Sequence, residues 1–213
     1  MKTEELVTLL ANGAGAVVPD EAARRYAIAL GWGAFGATLL MAIVLGVRPD
    51  LNEATRLPMF WVKLAFPATL AMGGLIAASR LAHPGASLGR VPLALVAPVL
   101  AMWFLAALAL LRAAPPEREE LLFGGTWNSC PFYIAALSVP VFVASLWAMK
   151  GLAPTRPALA GAASGLLAGA LGASIYALHC PEMAAPFLGI WYLAGMLIPA
   201  AIGAVVGPLL LRW

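Results

Sequence analysis

The chain has 213 residues, of which 62% are hydrophobic and 11% charged, and its formal net charge is +3. A soluble domain of this length needs much more polar surface to cover its core, so the composition excludes an ordinary soluble enzyme or binding domain and indicates an integral membrane protein. Two cysteines are too few for a disulfide scaffold, and they lack the Cys-x-x-Cys spacing of zinc and thioredoxin-like sites.

Residues 1–25 are a polar lead that predicts a short amphipathic helix. Thr3 is a suitable N-cap, and the two glutamates that follow it suit the positive end of a helix dipole. Apolar residues then recur at helical spacing until Asn12-Gly13 ends the pattern. A helix this short is unstable alone in water, so we expect it to lie on the bilayer or in a groove of a cytoplasmic partner protein.

Six stretches are apolar and long enough to cross a bilayer, which takes about 20 helical residues. They are 26–47, 60–81, 91–111, 131–149, 158–178 and 187–211. We therefore expect an all-α polytopic membrane protein, in which residues 26–213 form a bundle of six transmembrane helices. Six spans put both termini on one side, and that side has eight of the 13 lysines and arginines. The positive-inside rule then places both termini in the cytoplasm.

Lys63 is the one charged residue that lies inside a predicted span rather than in its last turn. Its long side chain can extend to the lipid headgroups, so we expect an interface lysine. Pumps and ion-coupled transporters usually have charged relays near the midplane of the bilayer, and these spans have none. A small transporter or channel of unknown solute is nevertheless the alternative function.

Glycines recur every four residues on one face of each of the last two spans. These glycines are Gly161, Gly165 and Gly169 in the fifth span, and Gly203 and Gly207 in the sixth. A helix face without side chains allows a neighbouring helix to approach closely. The neighbour is either another helix of the same bundle or a helix of a second copy in a homodimer.

Cys130 and Cys180 each precede a proline at the outer end of a predicted span, so both thiols face the same compartment. Three interpretations are open: small apolar core residues, a structural disulfide, or a sensing pair that is oxidised or binds a soft metal ion. His179 and Glu182 flank Cys180 and complete a candidate metal-ligand set, although a lone histidine is more typical of a hydrogen-bonding residue.

Several short motifs together resemble one known family. They are RPDL at 48–51, FWVKL at 60–64, WNSC at 127–130, LAPTRP at 152–157 and ALHCPE at 177–182. With the polar lead and the six spans, these motifs make the sequence similar to the NrsF-type membrane anti-sigma factors. That family consists of six-span negative regulators of extracytoplasmic-function (ECF) sigma factors in proteobacteria.

The resemblance implies a non-enzymatic regulator of transcription in the bacterial inner membrane, which binds a sigma factor on the cytoplasmic side and no nucleic acid. The residues implied to contact the sigma factor are Leu6, Leu9, Leu10, Arg24 and Arg25. It also implies that Cys130 and Cys180 sense heavy-metal or oxidative stress on the outer face and cause release of the sigma factor. The cofactor expectation is none, apart from a transient metal ion at the thiols. A membrane thiol-disulfide enzyme is disfavoured by the missing Cys-x-x-Cys motif.

Overall fold

The structure is a computed structural model that describes residues 3–13, 21–83, 85–152 and 154–212, and it leaves out the side chains of 9–13 and 21–22. The described residues form α1 (Thr3–Gly13), α2 (Glu21–Leu40), α3 (Leu51–Ala54), α4 (Pro58–Leu81), α5 (Val91–Arg112), α6 (Glu117–Phe123), α7 (Cys130–Lys150), α8 (Pro157–Tyr176), α9 (Ala185–Phe187) and α10 (Leu193–Leu210). A π-helical turn extends α2 over Met41–Leu45, and a second joins α9 to α10 over Leu188–Tyr192. No strand occurs in these ranges, so the expected all-α class is confirmed.

Six stretches of helix are long and apolar enough to cross a membrane. They are Ala23–Leu45, Pro58–Leu81, Val91–Arg112, Cys130–Lys150, Pro157–Tyr176 and Ala185–Leu210. Each lies within a few residues of a predicted span, so the expectation of six helices long and apolar enough to cross a membrane is confirmed. Proline occupies the first or second position of α4, α5, α7 and α8. The N–H groups in the first turn of a helix have no acceptor within the helix, so proline loses no hydrogen bond there.

Helix α8 lies at the centre of the bundle and packs against α4, α7 and α10. Its contact with α10 is made by glycines whose added Cβ would overlap the backbone of the other helix: Gly161, Gly165, Gly169, Gly203 and Gly207. These five glycines therefore pack within one chain, which lets two helix backbones approach without intervening side chains. At the periphery, α2 packs on α7 and α5 packs on α4.

Candidate functional site

Three loops meet at one end of the bundle, namely those that follow α2, α6 and α8. The Arg48 N–H donates to the Leu178 carbonyl oxygen at 3.1 Å. The Gly125 N–H donates to Glu182 Oε1 at 2.8 Å. Because these bonds join loops that are far apart in the sequence, they fix one end of the bundle as a single continuous surface.

Two thiols lie directly beneath this surface. Cys130 is the first residue of α7, and Cys180 lies in the loop after α8. Both are free and fully buried, at 0% exposure. The two side chains are neighbours in one buried cluster, and the two thiols interact with each other. The structure thus brings together two thiols that are 50 residues apart in the chain.

Aromatic side chains enclose the thiol pair. The Tyr176 ring lies 5.8 Å from the Tyr192 ring and 6.1 Å from the Tyr133 ring, centroid to centroid. The side chains of Tyr176 and Tyr192 both lie close enough to interact electrostatically with the Cys130 and Cys180 thiols. The Tyr192 hydroxyl is fully buried, and no atom of the described residues meets hydrogen-bond geometry with it. The site therefore contains polar groups in a water-excluded space, where electrostatic interactions are strong.

Lys63 extends into this site, so its expected position among the lipid headgroups is wrong. The side chain is fully buried, at 0% exposure. Its Nζ donates to the carbonyl oxygens of Cys180 at 2.6 Å and of Glu182 at 2.8 Å. It also lies 5.5 Å from the centroid of the Tyr192 ring. A charged residue inside a membrane span usually faces the interior of the bundle and marks a functional site. By that rule the sequence already indicated a buried position for Lys63.

Arg48 is a second cation at the same turn, and its contact with Cys180 was not predicted from the sequence. Its Nη1 donates to the Cys180 carbonyl at 3.2 Å, while Nε and Nη2 bind the two carboxylate oxygens of Asp50 at 2.7 and 2.6 Å. The hydrogen bond to Asp50 raises the Arg48 pKa, and the same bond lowers the pKa of the Asp50 carboxyl. One carbonyl thus accepts hydrogen bonds from two cationic side chains.

The charge distribution favours the thiolate form of Cys180. The pKa of its thiol is lowered, first because the Cys130 thiol donates to its sulfur, although burial opposes this effect. The nearby ammonium of Lys63 and the Glu182 backbone N–H lower the pKa further. A thiolate is the form of cysteine that reacts with electrophiles and binds soft metal ions. The pair can therefore react with either kind of agent.

His179 and Glu182 have other partners in this structure. His179 Nδ1 lies 2.9 Å from the Gly46 carbonyl oxygen, and the Glu182 carboxylate accepts the Gly125 N–H described above. Within the described ranges, no three His, Cys, Asp or Glu side chains are placed to hold one ion. The four residues of the candidate metal-ligand set thus do not converge, and two adjacent sulfur atoms remain as candidate ligands for a soft ion.

The candidate sigma-binding residues lie on α1 and at the start of α2. Helix α1 covers Thr3–Gly13, so the predicted short helix is present in this segment. Leu6 is exposed on it, whereas the side chains of Leu9 and Leu10 lie outside the described residues. Arg24 is exposed. Arg25 instead stacks on Trp147, with Cζ 4.3 Å from the ring centroid, and donates to the Trp147 carbonyl at 3.2 Å.

Comparisons with known proteins place this chain in a family. The model of the family described as "Negative regulator of sigma F" (NrsF) matches residues 10–213. The chain is 62% identical over 213 residues to the probable anti-sigma-F factor NrsF of Azospira oryzae, and 40% identical over 215 residues to the anti-sigma-F factor NrsF of Caulobacter vibrioides. Both alignments cover the full length of both chains. No solved structure matches the chain. The resemblance drawn from its motifs is thus confirmed, and the chain belongs to the NrsF family of negative regulators of sigma F.

Proposed function

We propose that this chain is a membrane anti-sigma factor that holds an ECF sigma factor at the cytoplasmic face of the bacterial inner membrane. It releases the sigma factor when Cys130 and Cys180 react with an oxidant or a soft metal ion. Family membership and the six apolar helices support a regulatory role at a membrane. The observation that carries the sensing part is that two free, buried thiols, one at the start of α7 and one in the loop after α8, are neighbours.

The orientation follows from the distribution of positive charge. The end of the bundle with both termini has the larger share of lysine and arginine, which favours the cytoplasmic side. The thiol site then faces the periplasm, an oxidising compartment in which disulfides form and persist. A sensor of external oxidants or metal ions requires this placement, because its reactive groups have to lie where the agent arrives.

The sigma factor is held by residues 1–25 in this proposal. Leu6 and Val7 expose apolar surface on α1, as a helix that docks in a groove of a partner protein requires. Arg24 adds an exposed positive charge at the start of α2. The glycines of α8 and α10 are already occupied within one chain, so a homodimer would have to use a different surface.

The signal acts on the contact between the two sulfur atoms. An oxidant that accepts two electrons and two protons joins them as a disulfide, whereas a soft metal ion displaces the thiol protons and is held between two thiolates. Either reaction replaces the weak interaction between the sulfurs with a covalent or coordinate link between α7 and the loop after α8. Release follows if the altered site stabilises a bundle arrangement with lower affinity for the sigma factor.

Serine variants test the sensing role of the thiols. We expect Cys130→Ser and Cys180→Ser to insert into the membrane and repress a sigma-dependent reporter, but to lose induction by diamide and by cadmium. Ser129→Ala, a small change next to Cys130, is the matched control and should respond as the wild type does. Immunoblots of the membrane fraction confirm equal amounts of protein. Normal induction in a double serine variant would refute the proposal.

A deletion of residues 1–25 separates this function from the alternative of a small transporter or channel. We expect the shortened chain to remain in the membrane and to leave the sigma factor in the soluble fraction, so that the reporter is expressed without any stimulus. An intact C-terminal epitope tag monitors the amount of protein. Full repression by the shortened chain would exclude the proposed binding segment.

A further inference from the structure

Lys63 is a buried cation without a carboxylate partner. The one salt bridge within the described ranges joins Arg48 to Asp50. The ammonium of Lys63 is instead surrounded by the carbonyl oxygens of Cys180 and Glu182, the face of the Tyr192 ring and the side chain of Cys180. A buried charge is costly unless it is compensated, so the energy of Lys63 in this position depends on the groups around the thiol pair.

The two carbonyl bonds connect this charge to the backbone of the loop between Tyr176 and Ala185, which contains Cys180 and is named the sensing loop. They flank Pro181, and their lengths of 2.6 and 2.8 Å are those of charge-assisted hydrogen bonds. Lys63 lies in the second turn of α4, so these bonds tie that helix to the residues on either side of Pro181. Arg48 bonds to the same Cys180 carbonyl from the loop after α2.

Helix α4 extends from this site to the opposite end of the bundle. It is continuous from Pro58 to Leu81, and Gly74 packs directly against the backbone of Leu167 in α8. At its far end, Arg80 Nη1 donates to the carbonyl oxygens of Ser87 and Leu88 at 3.3 and 2.9 Å. A shift of α4 therefore also displaces residues 85–90, which face the cytoplasm in the proposed orientation.

We propose that Lys63 is a third functional residue of the thiol site, which couples the state of Cys130 and Cys180 to helix α4 and through it to residues 85–90. This inference rests on the proposed sensing function and identifies the residue that transmits the signal. Lys63 acts through its contacts with the sensing loop and is therefore a positioning residue.

The chemical step that Lys63 responds to is disulfide formation. The Cys180 thiolate and the Cys130 thiol lose two electrons and one proton as the sulfur–sulfur bond forms. A diazene oxidant such as diamide takes up the two electrons, that proton and a second proton from water, and becomes a hydrazine. A disulfide sulfur has no negative charge and accepts hydrogen bonds weakly. The ammonium then loses one of its compensating groups, while Cys180 moves toward α7. Both changes weaken the hold of Lys63 on the sensing loop.

Hydrogen–deuterium exchange on the purified full-length chain in detergent tests the coupling. In the wild type we expect diamide to change amide exchange in residues 85–90 by about fivefold or more, the lower end of ordinary coupling between two sites. In Lys63→Met, mass spectrometry should still show the disulfide, but the change in exchange should fall below about twofold. Arg56→Met removes an exposed cation at the same end of the bundle, and it should keep the wild-type response.

Lys63→Gln removes the charge but keeps a hydrogen-bond donor near the carbonyl oxygens. It provides the same test if Lys63→Met does not fold, and its response to diamide should be equally small. An oxidation response in either neutral variant equal to that of the wild type would overturn the inference. The same holds if the wild-type disulfide forms without any change in residues 85–90, a result that needs no variant. Failure of the sensing function itself has a different signature, because reporter induction would then persist in the serine variants.

Discussion

A glycine-to-alanine substitution in α8 tests the packing that holds the bundle together. At Gly165 an added Cβ would overlap the Pro199 carbonyl oxygen and lie 2.6 Å from the Pro199 carbonyl carbon and 2.8 Å from Ala200 Cα. These are backbone atoms of α10, which cannot rotate out of the way as the end of a side chain can. Gly165→Ala therefore has to push the two helices apart.

The magnitude follows from comparison with a glycine in open space. An added Cβ at Gly31 in α2 would meet nothing within 4 Å, so Gly31→Ala brings the same gain in helix propensity, about 1 kcal/mol in water, without a clash. Overpacking costs about 1–3 kcal/mol. We expect the clash at Gly165 to lie near the middle of that range, at about 2 kcal/mol. For a chain of this size that corresponds to about 4–8 °C in the melting temperature.

Thermal unfolding in detergent micelles, followed by far-UV circular dichroism, measures the difference between the two variants. Gly165→Ala should melt several degrees below Gly31→Ala under identical conditions. Equal melting temperatures would show that α8 and α10 do not pack as closely as described. A lower melting temperature for Gly31→Ala would contradict the assignment of its open surroundings.

Two further predictions concern the loop end of the bundle. Because Arg48 lowers the pKa of Asp50 in the folded state, this carboxylate stabilises the fold above its unfolded pKa of about 3.9, and the contribution is lost as the pH falls through the folded-state value. Between pH 6 and pH 2 the melting temperature should therefore fall further in the wild type than in Asp50→Asn; parallel curves would contradict this. Trp191→Phe removes the 2.8 Å hydrogen bond from the indole N–H to the Leu122 carbonyl and should lower the free energy of unfolding by about 1 kcal/mol. Trp32→Phe, at a side chain that is 71% exposed, should change it by less than about 0.5 kcal/mol, and equal losses in the two variants would assign no role to the bond.

The six spans could be predicted from the sequence because length and apolarity are local properties. Each apolar stretch is bounded by charged or proline-containing loops, and the observed helices end within a few residues of the predicted limits. The glycine faces of α8 and α10 were equally visible, since a repeat of four residues stays on one side of a helix. From the sequence, the helix packed against these glycines could belong to the same chain or to a second copy. The structure shows that it belongs to the same chain.

The position of Lys63 could not be predicted from its distance to the end of the span, because that distance does not show whether the residue lies on the buried or the exposed face of the helix. Phe60 and Leu70 are buried at helical spacing on either side of it, whereas Trp61 is exposed. Lys63 thus shares the buried face of α4 rather than the face that contacts lipid. The pattern of apolar residues in a membrane helix conceals this difference, because the face toward the bundle and the face toward lipid are both hydrophobic.

The sequence predicted that both thiols lie at the same end of the bundle, but it did not predict the residues that surround them. Tyr176 and Tyr192 reach Cys180 from two different helices, and only tertiary packing brings them together. Conversely, His179 and Glu182 are neighbours of Cys180 in the sequence and bind other partners in space. Adjacency in a loop is therefore weak evidence for a shared metal ion.

In the proposed mechanism, the state of one thiol pair controls retention of a sigma factor at the membrane. The direct measurement is a titration of membranes containing the full-length chain and its sigma factor with diamide, in which the disulfide fraction and the membrane-bound sigma factor are determined in the same samples. We predict that the bound sigma factor falls in proportion to the disulfide between Cys130 and Cys180, and that the double serine variant shows no loss at any dose. Retention of the sigma factor on fully oxidised wild-type chain would contradict the mechanism.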